Sequence, residues 1–402
     1  MDSSIEFIYI RLWSNGPREV LEYVDYRFEQ HFGRQIPSYP PRAILYEYIT
    51  GRAKAADIRK FIRFRTAVRY VDFDVNTKQF HVTVEELLTN KSREHLIFDH
   101  VIVASGHYTI PSIPDFEGIS NFPGRVLHSH DYRGADEFVG KNLLIIGGSY
   151  SAEDIALQCY KFGANSITIS YRSCPMGFKW PDKIKEVSLL ERIEGHKAFF
   201  KDGTIVDNID CIIICTGYRQ NHSYMAENLR LYCPGNPYIP SDLYKGIFWL
   251  PEPRLAYLGM QNQLYTLNMF DIQAALVRDV FLGYVKLPDD NEENRRKDIV
   301  AWQAREQVLT MDNHEGFSDL QTDYIRDIIA CCDQNTVPKF DLEQSNAGMY
   351  KFFYDKRENI LTYRDQSFTS IFPPFQQSPL CQIPWIENTD DSIDEYLSSI
   401  KA

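Results

Sequence analysis

A chain of 402 residues can hold two or three domains with buried cores, and its 44% hydrophobic and 14% aromatic content excludes a disordered polymer. Lys and Arg number 43 against 55 Asp and Glu, a net charge of −12, which argues against a nucleic-acid partner because phosphates call for basic patches. No apolar run approaches the roughly 20 residues that span a bilayer, so no membrane anchor is expected.

The first residues, Met1 to Glu6, have neither the basic start nor the apolar core of a signal peptide. Eight cysteines without a CxxC spacing make no disulfide framework and no thioredoxin-reductase-like redox pair. Adjacent Cys331 and Cys332 sit in a helical pattern and read as core thiols. The compartment is expected to be reducing and cytoplasmic. No His, Cys or carboxylate spacing suggests a metal site, and the run Asp289-Asp290-Asn291-Glu292-Glu293 reads as a solvated loop.

In chain order, residues 42–50 read as a helix, and the alternation at 70–74 and 79–84 predicts a β-hairpin. The run 100–106 predicts a buried strand ending in glycine, with His107 as a turn residue after it. A linker punctuated by Pro111, Pro114, Gly118 and Gly124 follows. From Asn142 the pattern changes to a strand at 143–146, a glycine turn, a helix over 151–162 stopped by Gly163, and a second strand at 166–171. Another strand, Cys211–Ile214, stops at Thr216-Gly217. Strand, turn, helix and strand with short connections predict an α/β fold with a parallel, doubly wound sheet. Asn268 reads as the N-cap of a helix over 269–282 closed by Gly283. The last hundred residues mix helical stretches with Pro-rich coil and carry no functional reading.

The chemistry concentrates at Gly147-Gly148-Ser149-Tyr150-Ser151-Ala152, which follows a strand and opens a helix, the context a dinucleotide fingerprint requires. Gly147 permits the tight turn, Ser149 stands for the second glycine of G-x-G-x-x-G, and Ala152 still allows close helix–strand packing. Backbone amides at the helix start face a pyrophosphate, and Ser149 and Ser151 add hydroxyl donors. An NAD site places an acidic residue at the end of the next strand; here Tyr171 is followed by Arg172 and Ser173, a cation and a hydroxyl suited to a 2′-phosphate. NADPH is favoured over NADH, the alternative for Arg172 being a surface salt bridge.

Upstream, Phe122-Pro-Gly124-Arg-Val-Leu-His128-Ser-His-Asp-Tyr132 matches the F-x-G-x-x-x-H-x-x-x-[FY] signature of flavin-containing monooxygenases, and Cys215-Thr216-Gly217-Tyr218 resembles their A-T-G-Y motif. Tyr132 leans away from the related Baeyer–Villiger enzymes, which carry Trp there. Leu12-Trp13-Ser14-Asn15-Gly16-Pro17-Arg18-Glu19, Ile36 to Arg42, Met176 to Pro181 and Gly259 to Gln263 resemble the bacterial trimethylamine monooxygenases of that family, and the similarity runs from about Leu12 to the C-terminus.

The resemblance implies a two-dinucleotide-binding-domain flavoprotein. Residues 1–114 would be the first part of the FAD domain, 115–222 an inserted NADPH-binding domain, and 223–402 the second part of the FAD domain with the C-terminal region. NADPH would reduce FAD, O₂ would add to give a C4a-hydroperoxyflavin, and a small amine or sulfide would take the distal oxygen. Asn15 would stand beside the flavin and the nicotinamide ribose, with Tyr150 bordering the same oxygen-binding space as the second catalytic residue. Trp13 would lie against NADP, Gln261 and Gln263 would contact the flavin ring, and His128 and His130 would be structural. A homodimer is compatible with the resemblance. Read without it, Asn15-Gly16 is a turn and Tyr150 a packing aromatic.

The resemblance also implies a strand and a G-x-G-x-x-G for the FAD pyrophosphate ahead of Trp13, and the residues before Trp13 contain none. An N-terminally truncated FAD domain is therefore expected, with a central strand absent and the sheet interior exposed. A non-catalytic NADPH-binding or interaction protein lacking FAD stays open. After Gln263, where the trimethylamine enzymes carry Trp, stand Leu264 and Tyr265. Leu lacks the aromatic face that holds an ammonium-like amine, which leaves another amine, a sulfide or an indole-like substrate open.

Overall fold

A computed structural model of the protein describes residues 11–88, 92–106, 108–233, 235, 237–288, 291–310 and 312–401; Met1 to Glu6, His107 and Asp289-Asp290 lie outside them. Within 115–222, five parallel strands run in the order Arg125–His128, Cys211–Ile214, Asn142–Ile146, Ser166–Ser170, Ile184–Val187. Alternate residues serve opposite faces. Leu143, Ile145, Cys211 and Ile213 pack under the helix Tyr150–Lys161 with Tyr132 and Phe138, while Leu144, Ile146, Ile212 and Ile214 pack against Phe122, Leu190 and Phe200. Burial on both faces is why these strands read as unbroken apolar runs.

The second face is covered by antiparallel strands, Leu190–Glu194, Lys197–Phe200 and Ile205–Val206, and not by the helix a doubly wound sheet implies. The segment turns at Gly195 and Gly203, both at positive φ, too soon for a helix to form between them. The helix begins at Tyr150 and ends as expected with Gly163 in the left-handed region (φ 92°). Chain enters and leaves this unit through one ribbon, Ile110–Pro111 antiparallel to Tyr218–Arg219.

The rest of the molecule packs around a larger core. The helix Arg42–Ala55 runs five residues past the expected end, and the predicted hairpin, Thr66–Asp74 with Gln79–Glu86, gains a third strand, Arg93–Phe98. The strand expected over 100–106 shrinks to Val101–Val103 and is not fully buried. It pairs in parallel with Leu255–Tyr257 on one side, and its other edge is unpaired among the described residues, so Ile102 is 49% exposed. Beside it runs an apolar hollow of about 500 Å³ lined by Val68, Val71, Val82, Phe98 and Ile102.

The C-terminal region, silent in the sequence, supplies much of the main core through the helices Leu267–Phe281, His314–Cys331 and Leu342–Glu358, with Phe352, Tyr363 and Tyr396 buried beside Trp13 and Tyr48. Asn268 is not the N-cap: Thr266 is, and Asn268 lies fully buried in the first turn, its Oδ1 accepting from Met269 N at 2.9 Å. Bonding to its own neighbour lets Asn268 sit inside the helix, which moves the boundary back. Cys332 is buried, its Sγ donating to the Ile328 carbonyl, and all eight cysteines are free. No helix of the described residues is long and apolar enough to cross a membrane.

Candidate active site

The glycine turn lies where the strand order reverses. From Asn142–Ile146 the chain moves to Ser166–Ser170 on one side and later returns to Cys211–Ile214 on the other, which opens a crevice at the carboxyl ends of the strands. Gly147 has φ 128°, and a Cβ there would lie 2.2 Å from the Cys215 carbonyl oxygen. Only glycine fits, because the turn crosses the C-T-G-Y segment in direct backbone contact. A Cβ on Gly148 would stand 3.0 Å from that of Tyr171. Ser149 is the N-cap in extended conformation, yet its side chain caps nothing, so the hydroxyl and the first helical amides face the crevice free to bind an anion. Ser151 is half-buried in the first turn. Arg172 and Ser173 are exposed just past the neighbouring strand, and Arg172 makes no salt bridge among the described residues.

Asn15 arrives from outside this unit. Its loop is held by Ser14 N donating to Pro40 O at 2.9 Å and by a bridge between Trp13 and Pro41. Trp13 is 5% exposed, edge-on to Tyr396 at 5.6 Å, with the Lys161 ammonium 5.8 Å from its ring. It props the loop and turns no open face to a ligand. Asn15 Nδ2 donates to Asp154 Oδ2 at 2.9 Å. Asp154 lies one helical turn beyond Tyr150 and so on the same face. Tyr150 is 38% exposed at the crevice, with Lys356 Nζ 5.0 Å from its ring centre. The fold thus brings Asn15, Tyr150 and the glycine turn to one corner.

Beneath that corner lies a set of buried ions. Glu153 pairs with Lys356 at 2.6 Å, both side chains 2% exposed, and Asp154 with Arg364 at 2.7 Å. Tyr363 donates to Glu153 at 3.2 Å, and Arg364 Nε donates to the Ser14 carbonyl at 3.1 Å. Burial pushes the Asp154 carboxyl up to about 6 against the pull of the Arg364 guanidinium. Sequence reasoning missed these four residues. The one available signal was an acidic pair set among Ala152, Ile155 and Ala156 on an inward helical stripe, which obliges cations to be nearby.

The two glutamines separate. Gln261 is buried with Oε1 accepting from Gln273 Nε2 at 2.5 Å, inside a network that continues through Tyr324 to the Lys245 carbonyl. Gln263 keeps a buried Oε1 with no hydrogen bond, near the head of the helix Leu267–Phe281, where Asn268 Nδ2 is likewise unpaired. An open buried acceptor suits the imide N–H of an isoalloxazine. Tyr265 points into the core, its hydroxyl 3.0 Å from that of Thr322, so its ring does not stand in for the Trp that Leu264 replaces. In the F-x-G signature, Tyr132 donates to Gln158 at 2.5 Å, and the rings of His128 and His130 lie edge-on to Tyr218 at 5.4 and 6.1 Å. Burial lowers the His128 pKa, which leaves a neutral ring suited to packing. Both histidines act at the ribbon, as structural members of the signature.

Residues 2–177 and 182–342 match the family described as Flavin-binding monooxygenase-like. The chain belongs to that family. It is 50% identical over 389 residues to the trimethylamine monooxygenase of Methylocella silvestris, covering 97% of this chain and 84% of the relative. The crystal structure of Tmm from Pelagibacter sp. strain HTCC7211 superposes with a TM-score of 0.91 at 43% identity, over 97% of this chain and 86% of that one. The S-allyl-L-cysteine S-oxygenase of Allium sativum shares the fold, with a TM-score of 0.75 at 24% identity over 89% and 81% of the two chains. The protein is an NADPH-dependent flavin monooxygenase with the two-dinucleotide-binding-domain flavoprotein fold, and its cofactors are FAD and NADPH. The non-catalytic alternative falls. At the flavin-ring end the open Gln263 acceptor fits the cofactor. For pyrophosphate, the turn at 147–152 offers an exposed helix start whose N-cap side chain makes no capping hydrogen bond.

Proposed function

We propose that the enzyme uses NADPH, FAD and O₂ to N-oxygenate a small tertiary amine, with residues 115–222 as the NADPH-binding domain inserted between the two parts of the FAD domain, 1–114 and 223–402. The ribbon Ile110–Pro111/Tyr218–Arg219 supports those boundaries, because both crossings of the chain meet there. The observation that carries the activity is the contact of Asn15, from the FAD domain, with the helix that opens at the dinucleotide turn. It supports a reading in which one neutral amide stands where both cofactors would meet.

Bound flavin, once reduced, supplies the activated oxygen; the protein supplies position and shelter. The amides of the turn and the hydroxyls of Ser149 and Ser151 hold the NADPH pyrophosphate, while Arg172 and Ser173 hold its 2′-phosphate. Asn15 gives an N–H to Asp154 and keeps Oδ1 to accept from a ribose hydroxyl, without a proton acidic enough to quench the oxidant. Tyr150 walls the same space. Gln263 accepts from the flavin imide. An amine substrate, rather than a sulfide, is supported by the relatives named trimethylamine monooxygenases, and Leu264 in place of Trp widens the reading to amines other than trimethylamine. Free, mostly buried thiols support a reducing, cytoplasmic setting.

Two measurements test this. Asn15→Ala should still oxidise NADPH, with the amine oxide formed per NADPH falling about 10-fold and hydrogen peroxide appearing instead, the scale of one lost hydrogen bond of about 1.4 kcal/mol. An unchanged yield removes Asn15 from the site. Turnover of simple sulfides that outpaces every tertiary amine tried would refute the amine assignment.

A further inference from the structure

The buried ring linking three distant stretches of chain contains one bond more than a clamp requires. Arg364 Nη2 lies 2.7 Å from Asp154 Oδ1, and Arg364 Nε donates to Ser14 O at 3.1 Å. Those bonds alone tie the helix Tyr150–Lys161 and the Ser14 loop to the C-terminal region. Asp154 Oδ2 nevertheless also accepts from Asn15 Nδ2 at 2.9 Å. A carboxylate has no proton to give, so the amide must turn its N–H edge to Asp154 and its Oδ1 away. A flipped amide would set its oxygen against a buried carboxylate. Charge-assisted bonds of this kind are roughly twice as strong as neutral ones, and the side chains of Arg364 and Asp154 are only 2% and 10% exposed.

We propose that Asp154, held by Arg364, is the positioning residue that sets which edge of the Asn15 amide meets the cofactors. The proposal rests on the placement of Asn15 in the active site argued above. The contact predicts a pH signature. Asp154 loses its charge as pH falls through about 6, and a protonated carboxyl holds the Asn15 N–H less firmly, so orientation loosens toward acid. The groups facing Asp154 are Arg364, Glu153 on its own helix, Lys356 from Leu342–Glu358, and Asn15. Lys161, pushed down to about 7 by burial, has Arg364, Asp365, Asp391 and Arg11 as its charged neighbours, and its titration is separable by variant.

The test uses the full chain with ¹⁵N-labelled asparagine side chains. The Asn15 amide protons are assigned by their loss in Asn15→Ala. They should shift with a midpoint near pH 6, and Asp154→Asn should abolish that titration; a shift that survives the substitution overturns the proposal. In turnover of the FAD-loaded enzyme, Asp154→Asn should uncouple NADPH oxidation several-fold, Asp154→Glu should recover part of the coupling, and the Asn15→Ala/Asp154→Asn double variant should be no worse than Asn15→Ala alone. Additive losses would mean that Asp154 acts independently of Asn15 and would overturn it. Should Asp154→Asn fail to fold, the wild-type titration decides alone: Asn15 amide shifts that stay flat as the pH is lowered overturn the proposal. If Asn15→Ala itself stays coupled, the placement of Asn15 is what fails, and the amide titration still settles the positioning.

Discussion

Replacing Lys356 with methionine is expected to destabilise the protein by about 3–5 kcal/mol, the cost of leaving one member of a buried ion pair without its partner. Glu153 is 2% exposed and has the Lys356 ammonium at 2.6 Å and the Tyr363 hydroxyl at 3.2 Å. With the cation gone, one weak neutral donor faces a buried charge. The effect crosses the molecule, because Glu153 belongs to the dinucleotide-binding helix and Lys356 to the helix Leu342–Glu358 that packs in the main core. Calorimetry should show a lowered Tm. The double variant Lys356→Met/Glu153→Gln should recover most of the loss, since removing both charges is far less costly than removing one. A single variant as stable as wild type would show that the pair carries no buried charge.

Arg172→Ala should raise KM for NADPH about 10- to 100-fold while leaving NADH nearly unchanged, the range set by charged hydrogen bonds worth about 1.5–3 kcal/mol. The geometry favours a large effect. Arg172 is exposed beside the glycine turn and uncommitted to any protein carboxylate among the described residues, so its charge is available to a 2′-phosphate. Arg172→Lys should recover only part, because an ammonium lacks the planar fork. Initial rates with both nucleotides check this, and equal losses for NADPH and NADH would place the 2′-phosphate elsewhere.

The parts of the site that could be read from the residues are those in which backbone chemistry demands a residue type in local order. Gly147 needs the absence of a Cβ, Ser149 begins a helix, and Arg172 follows just past the next strand; each requirement is met within a span of about thirty residues that also forms one supersecondary unit. The F-x-G and C-T-G-Y motifs were legible only through the family resemblance, and their meeting at Tyr218 was not legible at all. Trp13 shows the limit: the resemblance implied a contact with NADP, and the ring is 5% exposed and packs edge-on against Tyr396. Gln261 and Gln263, two residues apart, were likewise alike on paper and diverge because Gln273, twelve residues on, occupies one and not the other.

Strand–turn–helix order and the residues after the second strand were thus enough for an α/β fold with a dinucleotide turn favouring NADPH, while a flavoprotein was implied only by the resemblance that the two short motifs carry. Only the folded chain could reveal that Glu153 and Asp154 are buried, that Lys356 and Arg364 come some 200 residues later to neutralise them, and that Asn15 donates a hydrogen bond to one of those carboxylates. The reason is physical: a turn or a cap is satisfied by neighbours along the chain, whereas a buried charge is satisfied by whichever distant group the packing brings within 3 Å, and no local pattern names that group.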